Sequence, residues 1–249
     1  MLFSSFSWSL FLKITFEARG IIQSIANVKY KLSLGALLIT ASLISLLLVF
    51  IHIRINHSSS YVFLAINLGL AWIPLAAAVA AYVSMRNRVT FYLVMPICTI
   101  AWLIFFPNAP YLLTDFQHLA FANGNTPVWF DVIIMIWFAW TGLLLGISSL
   151  FLMQEIVTSA FNRVIGWVFA IGATILSSIG IYLGRFLRWN SWDLLSDPLL
   201  IAKDMYGIVR HPITNLPTYV FTILFTLLFL FVYLTIHLIG RAMRESGKK

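Results

Sequence analysis

A chain of 249 residues that is 61% hydrophobic and 10% charged, with a mean hydropathy of +0.95, is not an ordinary soluble domain. Its formal charge of +8 does not point to nucleic acid, because the cations flank apolar runs, where they set membrane orientation. Its single cysteine, Cys98, falls inside an apolar run, which excludes a disulfide framework and a cysteine-based metal site.

The chain opens with Met1–Lys31. Lys13, Glu17 and Arg19 divide this stretch, so it does not span a bilayer, and it lacks the leading charge and cleavage site of a signal peptide. Phe3, Phe6, Leu10, Ile14, Ala18, Ile21 and Ile25 recur at helical spacing, with Lys13, Glu17, Gln23, Ser24 and Asn27 on the other side. The pattern predicts an amphipathic helix lying in the membrane interface. Residues 32–249 then form one transmembrane domain. Six runs in it have the ~17–25 apolar residues that cross a bilayer: Leu32–Ile51, Tyr61–Val83, Val89–Phe106, Val132–Met153, Val164–Leu183 and Thr218–Ile239. The fold class is all-α, a polytopic transmembrane helical bundle with interfacial helices at its N-terminus and its outer face.

With six spans the termini share a side. Eleven of the sixteen Lys and Arg fall on that side and five on the other, so the positive-inside bias predicts that both termini are cytoplasmic. All three glutamates are then inside and all five aspartates outside. No span carries Asp, Glu, Lys or Arg in its middle, which counts against an ion-coupled transporter. Asn67 and Pro74 interrupt the second span. Gly142-x-x-x-Gly146 and Gly180-x-x-x-Gly184 permit close helix approach. His52, His57 and His237 sit near span ends and are expected at the surface.

Two outer segments hold the aspartates. In the first, Pro107 and Pro110 are expected to end the third span, with Asn108 in the turn and Thr114 or Asp115 capping the next helix. Asp115 and His118 are three residues apart and share a face if that turn is helical. Two readings stay open: a capping carboxylate with a histidine at the lipid headgroups, or an acid/base pair or pair of metal ligands. Trp129 fits an aromatic belt, and Asp131 falls in the first turn of the fourth span, at its positive dipole end.

The second segment concentrates Arg185, Arg188, Trp189, Asn190, Trp192 and Asp193. Arginines at a helix C-terminus suit the dipole, and their forks also match phosphate. Here too two readings stay open, a lipid phosphate or pairing with Asp115, Asp131 or Asp193. Asp197 followed by Pro198 predicts the start of a short surface helix, ended by His211-Pro212.

Phe106-Pro-Asn-Ala-Pro-Tyr-Leu-Leu-Thr-Asp115, Trp129-Phe-Asp131 and Gly180-Ile-Tyr-Leu-Gly-Arg-Phe-Leu-Arg-Trp-Asn-Ser-Trp-Asp193 together resemble the bacterial membrane-protein family called domain of unknown function 1361. The resemblance runs from the second span to the C-terminus. It implies a bacterial multi-span protein, hence the plasma (inner) membrane, and brings no substrate, cofactor or catalytic residue with it.

No Gly-rich phosphate loop, H-E-x-x-H or G-x-S-x-G occurs in the chain. The reading the residues support is an outward-facing polar site that binds or modifies a lipid headgroup or lipid-linked phosphate. Arg185, Arg188 and Asn190 would hold the anion. Asp115 and His118 would be acid/base groups or metal ligands, with Asn108, Asp131, Trp192 and Asp193 in support. The alternatives are a small-molecule permease or exporter and a non-catalytic envelope assembly partner. The partners expected are the bilayer and a lipid-linked ligand.

Overall fold

The computed structural model describes residues 28–85, 88–121 and 126–246, so the interfacial reading of Met1–Lys31 lies outside it up to residue 27. All regular elements among the described residues are helical. They are α1 (Val28–Asn56), α2 (Val62–Ser84), α3 (Arg88–Phe105), α4 (Asn108–Tyr111), a 3₁₀ helix (Leu112–Phe121), α5 (Val128–Ala160), α6 (Arg163–Phe186), α7 (Asp193–Ser196), α8 (Pro198–Arg210) and α9 (Leu216–Ser246).

Six stretches are long and apolar enough to cross a membrane: Ser33–Asn56, Val62–Ser84, Thr90–Leu119, Val128–Ala160, Arg163–Phe186 and Leu216–Ala242. They match the six predicted spans one for one, and the chain is a multi-pass membrane protein. The third runs further than predicted. α3 ends at Phe105, as the prolines predicted, and after a turn at residues 106–107 the chain is helical again, because Pro107 sits at the N-cap of α4 and Pro110 within its first turn, where a missing N–H is not needed. Asn108 Nδ2 donates to the Phe105 carbonyl left open at the end of α3 (3.0 Å).

The chain divides into two compact units, residues 1–169 and 170–249. In the first, α5 is the central helix. It is 33 residues long and buries side chains from Asp131 to Ser159. Ile134, Met135, Phe138 and Leu145 on α5 meet Leu38 and Val49 of α1, Leu64, Leu68 and Ala71 of α2, and Ala109 and Leu112. α2 buries a stripe of mostly small residues, Ala71, Pro74, Ala77, Ala78, Ala81 and Ser84. Such a stripe suits close helix approach in a membrane, and α3 packs closely on α2. Trp102 of α3 is fully buried and stacks on Phe106 at 4.5 Å.

Gly142 belongs to this packing. A Cβ there would overlap the Ala109 carbonyl oxygen and the Leu112 side chain. The glycine therefore lets α4 and the 3₁₀ helix lie against α5, which places the Asp115 segment inside the unit.

In the second unit, Ala170, Ala173, Thr174, Ser177, Ser178 and Ile181 make the buried stripe of α6, and Phe225, Phe229 and Tyr233 that of α9. Thr226 Oγ1 bonds Ser178 Oγ between these helices (2.9 Å). The predicted surface helix is present as α8, with Asp197 at its N-cap, Pro198 first and His211 at its C-cap. Trp189 Nε1 donates to Asp204 Oδ2 (2.9 Å) and Tyr219 Oη to the Ile208 carbonyl (3.1 Å), which tether α8 to the ends of α6 and α9. Leu199, Leu200, Tyr206 and Val209 of α8 stay exposed.

Candidate functional site

The first unit gathers polar side chains where α1 ends and α5 begins. α1 buries Leu38, Ser42, Ser45, Val49 and His52, spaced alternately by four and three, and Asn56 continues the series. The inward face of a helix recurs at this spacing, so His52 is 4% exposed rather than at the surface as its place near a span end suggested.

His52 Nε2 lies 3.3 Å from Asp131 Oδ1 and 2.8 Å from Asn56 Nδ2. Thr126 ties these groups together. Its backbone N–H donates to Asn56 Oδ1 (3.2 Å), and its hydroxyl accepts from Asn56 Nδ2 (2.9 Å) and donates to Asp131 Oδ1 (3.2 Å). Because the Thr126 N–H fixes Asn56 Oδ1, the amide nitrogen is the atom that faces His52. Asp131 is buried in the first turn of α5, where the dipole favours its charge.

A ladder of rings joins this group to the 3₁₀ helix. Tyr61 stacks on His52 with centroids 4.2 Å apart, Phe63 meets Tyr61 edge-on at 6.3 Å, and His118 packs on Phe63 at 4.6 Å. Asp115 and His118 share a face, since side chains three apart eclipse in a 3₁₀ helix. Asp115 is 1% exposed and accepts from Asn67 Nδ2 at 3.4 Å. It is not a rim cap: the chain is already helical from Asn108, and the Thr114 hydroxyl donates back to the Tyr111 carbonyl (2.7 Å). Asn67, read as an interruption of the second span, is there to meet this carboxylate. Among the described residues no three His, Cys, Asp or Glu side chains group to hold a metal, and Asp115 with His118 falls short of the three protein ligands of a catalytic zinc.

The Tyr61 hydroxyl is buried with no hydrogen-bond partner among the described residues. Burial first, and then the Asp131 carboxylate, push its pKa from 10.0 up to about 12. A neutral form favoured by folding adds stability that is complete below pH 10.0 and is lost as pH rises through about 12. Subtracting the alkaline phenolate titration of Tyr61→Phe from that of the native protein should leave one tyrosine ionising near pH 12. Tyr61→Phe should also lose less stability across that window. Ionisation at an ordinary tyrosine pH would contradict the burial argument.

The predicted residues of the second unit surround the end of α6. Arg185 is in its last turn. Arg188 follows with φ 62°, in the left-handed region. The Trp189 N–H reaches back to the Leu183 carbonyl (3.2 Å), the six-residue closure of a Schellman end, in which glycine usually takes the Arg188 position. The Arg188 guanidinium is exposed and has no hydrogen bond or ion pair among the described residues. Asn190 is committed locally: its backbone N–H (2.6 Å) and Nδ2 (3.1 Å) both donate to Asp193 Oδ2. Trp192 is half exposed.

Residues His52, Asn56, Tyr61 and Thr126 escaped the sequence reading. The signal for His52 and Asn56 was the run 42, 45, 49, 52, 56, a polar and small stripe on an otherwise apolar helix. Thr126 and Tyr61 carried no such signal.

A family model described as "Protein of unknown function (DUF1361)" matches residues 66–232. That stretch holds Asn67, Asp115, His118, Thr126, Asp131, Arg185, Arg188 and Asp193, whereas His52, Asn56 and Tyr61 precede it. The comparisons with curated proteins and with solved structures find no match.

Proposed function

For a chain that belongs to the DUF1361 family, which is described as of unknown function, we propose from its residues alone that it binds or modifies the phosphate of a lipid headgroup or lipid-linked molecule at the outer face of a plasma membrane. The observation that carries this reading is Arg188: an exposed guanidinium, with no hydrogen bond or ion pair among the described residues, held in a left-handed backbone at the end of a span. That conformation costs a non-glycine residue about 1 kcal/mol. A guanidinium at a span end lies at headgroup depth, where phosphate is the abundant anion and the planar fork matches it. Arg185 adds a second cation, and Asn190 with Asp193 shapes the loop. In the first unit, Asp115 and His118 are the acid/base candidates on the 3₁₀ helix.

Arg188→Gly separates binding from stability. Glycine accepts the left-handed backbone, so the protein should unfold at the same or a higher temperature, with a gain of about 0.5–1 kcal/mol. Binding of a short-chain phosphatidic acid to the purified protein should weaken tenfold or more, the loss of about one charge-assisted hydrogen bond. Undiminished binding removes Arg188 from the reading, and equal binding of inorganic phosphate removes the lipid. Lipid analysis of cells lacking the protein should show an accumulating phosphate-bearing lipid.

The proposed sidedness has both termini in the cytoplasm. In a Cys98→Ala background, Ser59→Cys, between the first two spans, should react with an impermeant thiol reagent on intact cells. Reaction only after lysis would place that link, and the cytoplasmic side, the other way round.

A further inference from the structure

We propose that His52 and Asp131 form a proton-exchanging pair, with His52 Nδ1 as the atom that takes a proton from, or gives it to, a hydroxyl-bearing group, of which water is the simplest. The inference uses no residue of the second unit and holds whatever ligand Arg188 takes.

Two neighbours of the ring conflict at one atom. His52 Nε2 faces two neighbours that want opposite things from it. Asn56 Nδ2 can only donate, and its orientation is fixed by the Thr126 N–H on its oxygen. Asp131 Oδ1, when ionised, can only accept. With a proton on Nε2, the ring satisfies Asp131 and opposes Asn56. With Nε2 bare, it satisfies Asn56, and Asp131 must then carry the proton itself to be satisfied. With Nδ1 protonated, the same groups therefore accept two arrangements that differ by one proton between Oδ1 and Nε2: imidazolium with carboxylate, or neutral ring with carboxylic acid.

The other nitrogen completes the case. His52 Nδ1 is buried and has no hydrogen-bond partner among the described residues, although the residue as a whole is 4% exposed. A buried polar atom left unpaired is costly, and its place on a ring whose far side meets the Asp131 carboxylate marks it as the exchanging end. The groups that face the ring are few. Asp131 comes from α5, Tyr61 from the link between α1 and α2, and His118 and Asp115 stand beyond Phe63 on the 3₁₀ helix.

Neutral His52, with its proton on Nε2 toward ionised Asp131, accepts a proton at the Nδ1 lone pair from a hydroxyl. The O–H bond breaks, an N–H bond forms, the oxygen keeps the electron pair, and the imidazolium is held by the Asp131 carboxylate. The reverse step returns the proton. Asp131 is the positioning residue, since it acts through the ring.

The test follows the ring and needs no activity. Protein labelled with ¹⁵N-histidine is placed in lipid nanodiscs, and the His52 signals are assigned by their loss in His52→Gln. Across a series from about pH 4 to 9, Asp131→Asn should need a proton concentration at least about tenfold higher than the native protein to protonate both ring nitrogens, since a shift of one unit is a tenfold change. Should Asp131→Asn not accumulate in membranes, Thr126→Val makes the same test with opposite sign. Loss of the hydroxyl bonded to Asp131 should let the pair keep its proton to a lower proton concentration. A ring that holds one neutral tautomer throughout in the native protein, or behaves alike in the native protein and both variants, would make His52 a structural residue and overturn the proposal.

Discussion

Gly142→Val is expected to keep the protein from assembling. Two methyl groups would enter a space where even a Cβ overlaps the backbone oxygen of Ala109 and the side chain of Leu112. A flexible side chain would swing away at small cost, but a carbonyl fixed within α4 cannot. Overpacking a tight interface costs about 1–3 kcal/mol, and more where backbone must move. The segment displaced would be the one that carries Asp115, so the polar core of the first unit would open with it. The measurement is membrane yield together with the unfolding temperature of purified protein. Gly142→Ala should give an intermediate loss, and a Gly142→Val protein of native yield and stability would mean that α4 does not pack as described.

His52→Leu should cost on the order of 3 kcal/mol, because it takes a hydrogen-bond donor away from a buried carboxylate. It leaves Asp131 buried in α5 with the Thr126 hydroxyl as the hydrogen-bond donor that remains among the described residues. Replacing both residues, His52→Leu with Asp131→Leu, should cost less than the sum of the single changes, because two leucines leave no charge stranded. Equilibrium unfolding of the two single variants and the double variant closes the cycle. Strict additivity would show that the 3.3 Å approach carries no coupling.

The spans were legible because hydropathy alone decides where helices form in a bilayer, and α8 because Asp197 and Pro198 are a start signal in any solvent. The reading failed where a local rule met tertiary context. Pro107 and Pro110 do mark the end of α3, but both also fall where α4 begins, so the chain turns helical again at once and carries Asp115 inward, which the local rule could not show. His52 looked like a surface residue because its position along the span was read and its position around the helix was not. Of the polar residues singled out, Asp131 was placed at the start of the fourth span and is found there, but its partner His52 lies 79 positions away in the chain, and Asn56, which bonds His52 and Thr126, lies 75 away. No pattern in one sequence links residues so far apart; only the packing of α1 against α5 does.

The length of α5 has a consequence for the lipid. Thirty-three residues make a rod of roughly 50 Å, well beyond the ~30 Å of a hydrocarbon layer, while the 23 residues of α2 reach only about 35 Å. Hydrophobic mismatch acts on surface that touches acyl chains. α5 is buried for most of its course, so its surplus length is jacketed by neighbouring helices and exerts little pull on the lipid. The exposed flank of α2 has almost nothing to spare. The membrane thickness this protein tolerates is therefore set by one of its shorter helices, and a thicker bilayer would strain α2 long before it matched the helix at the centre.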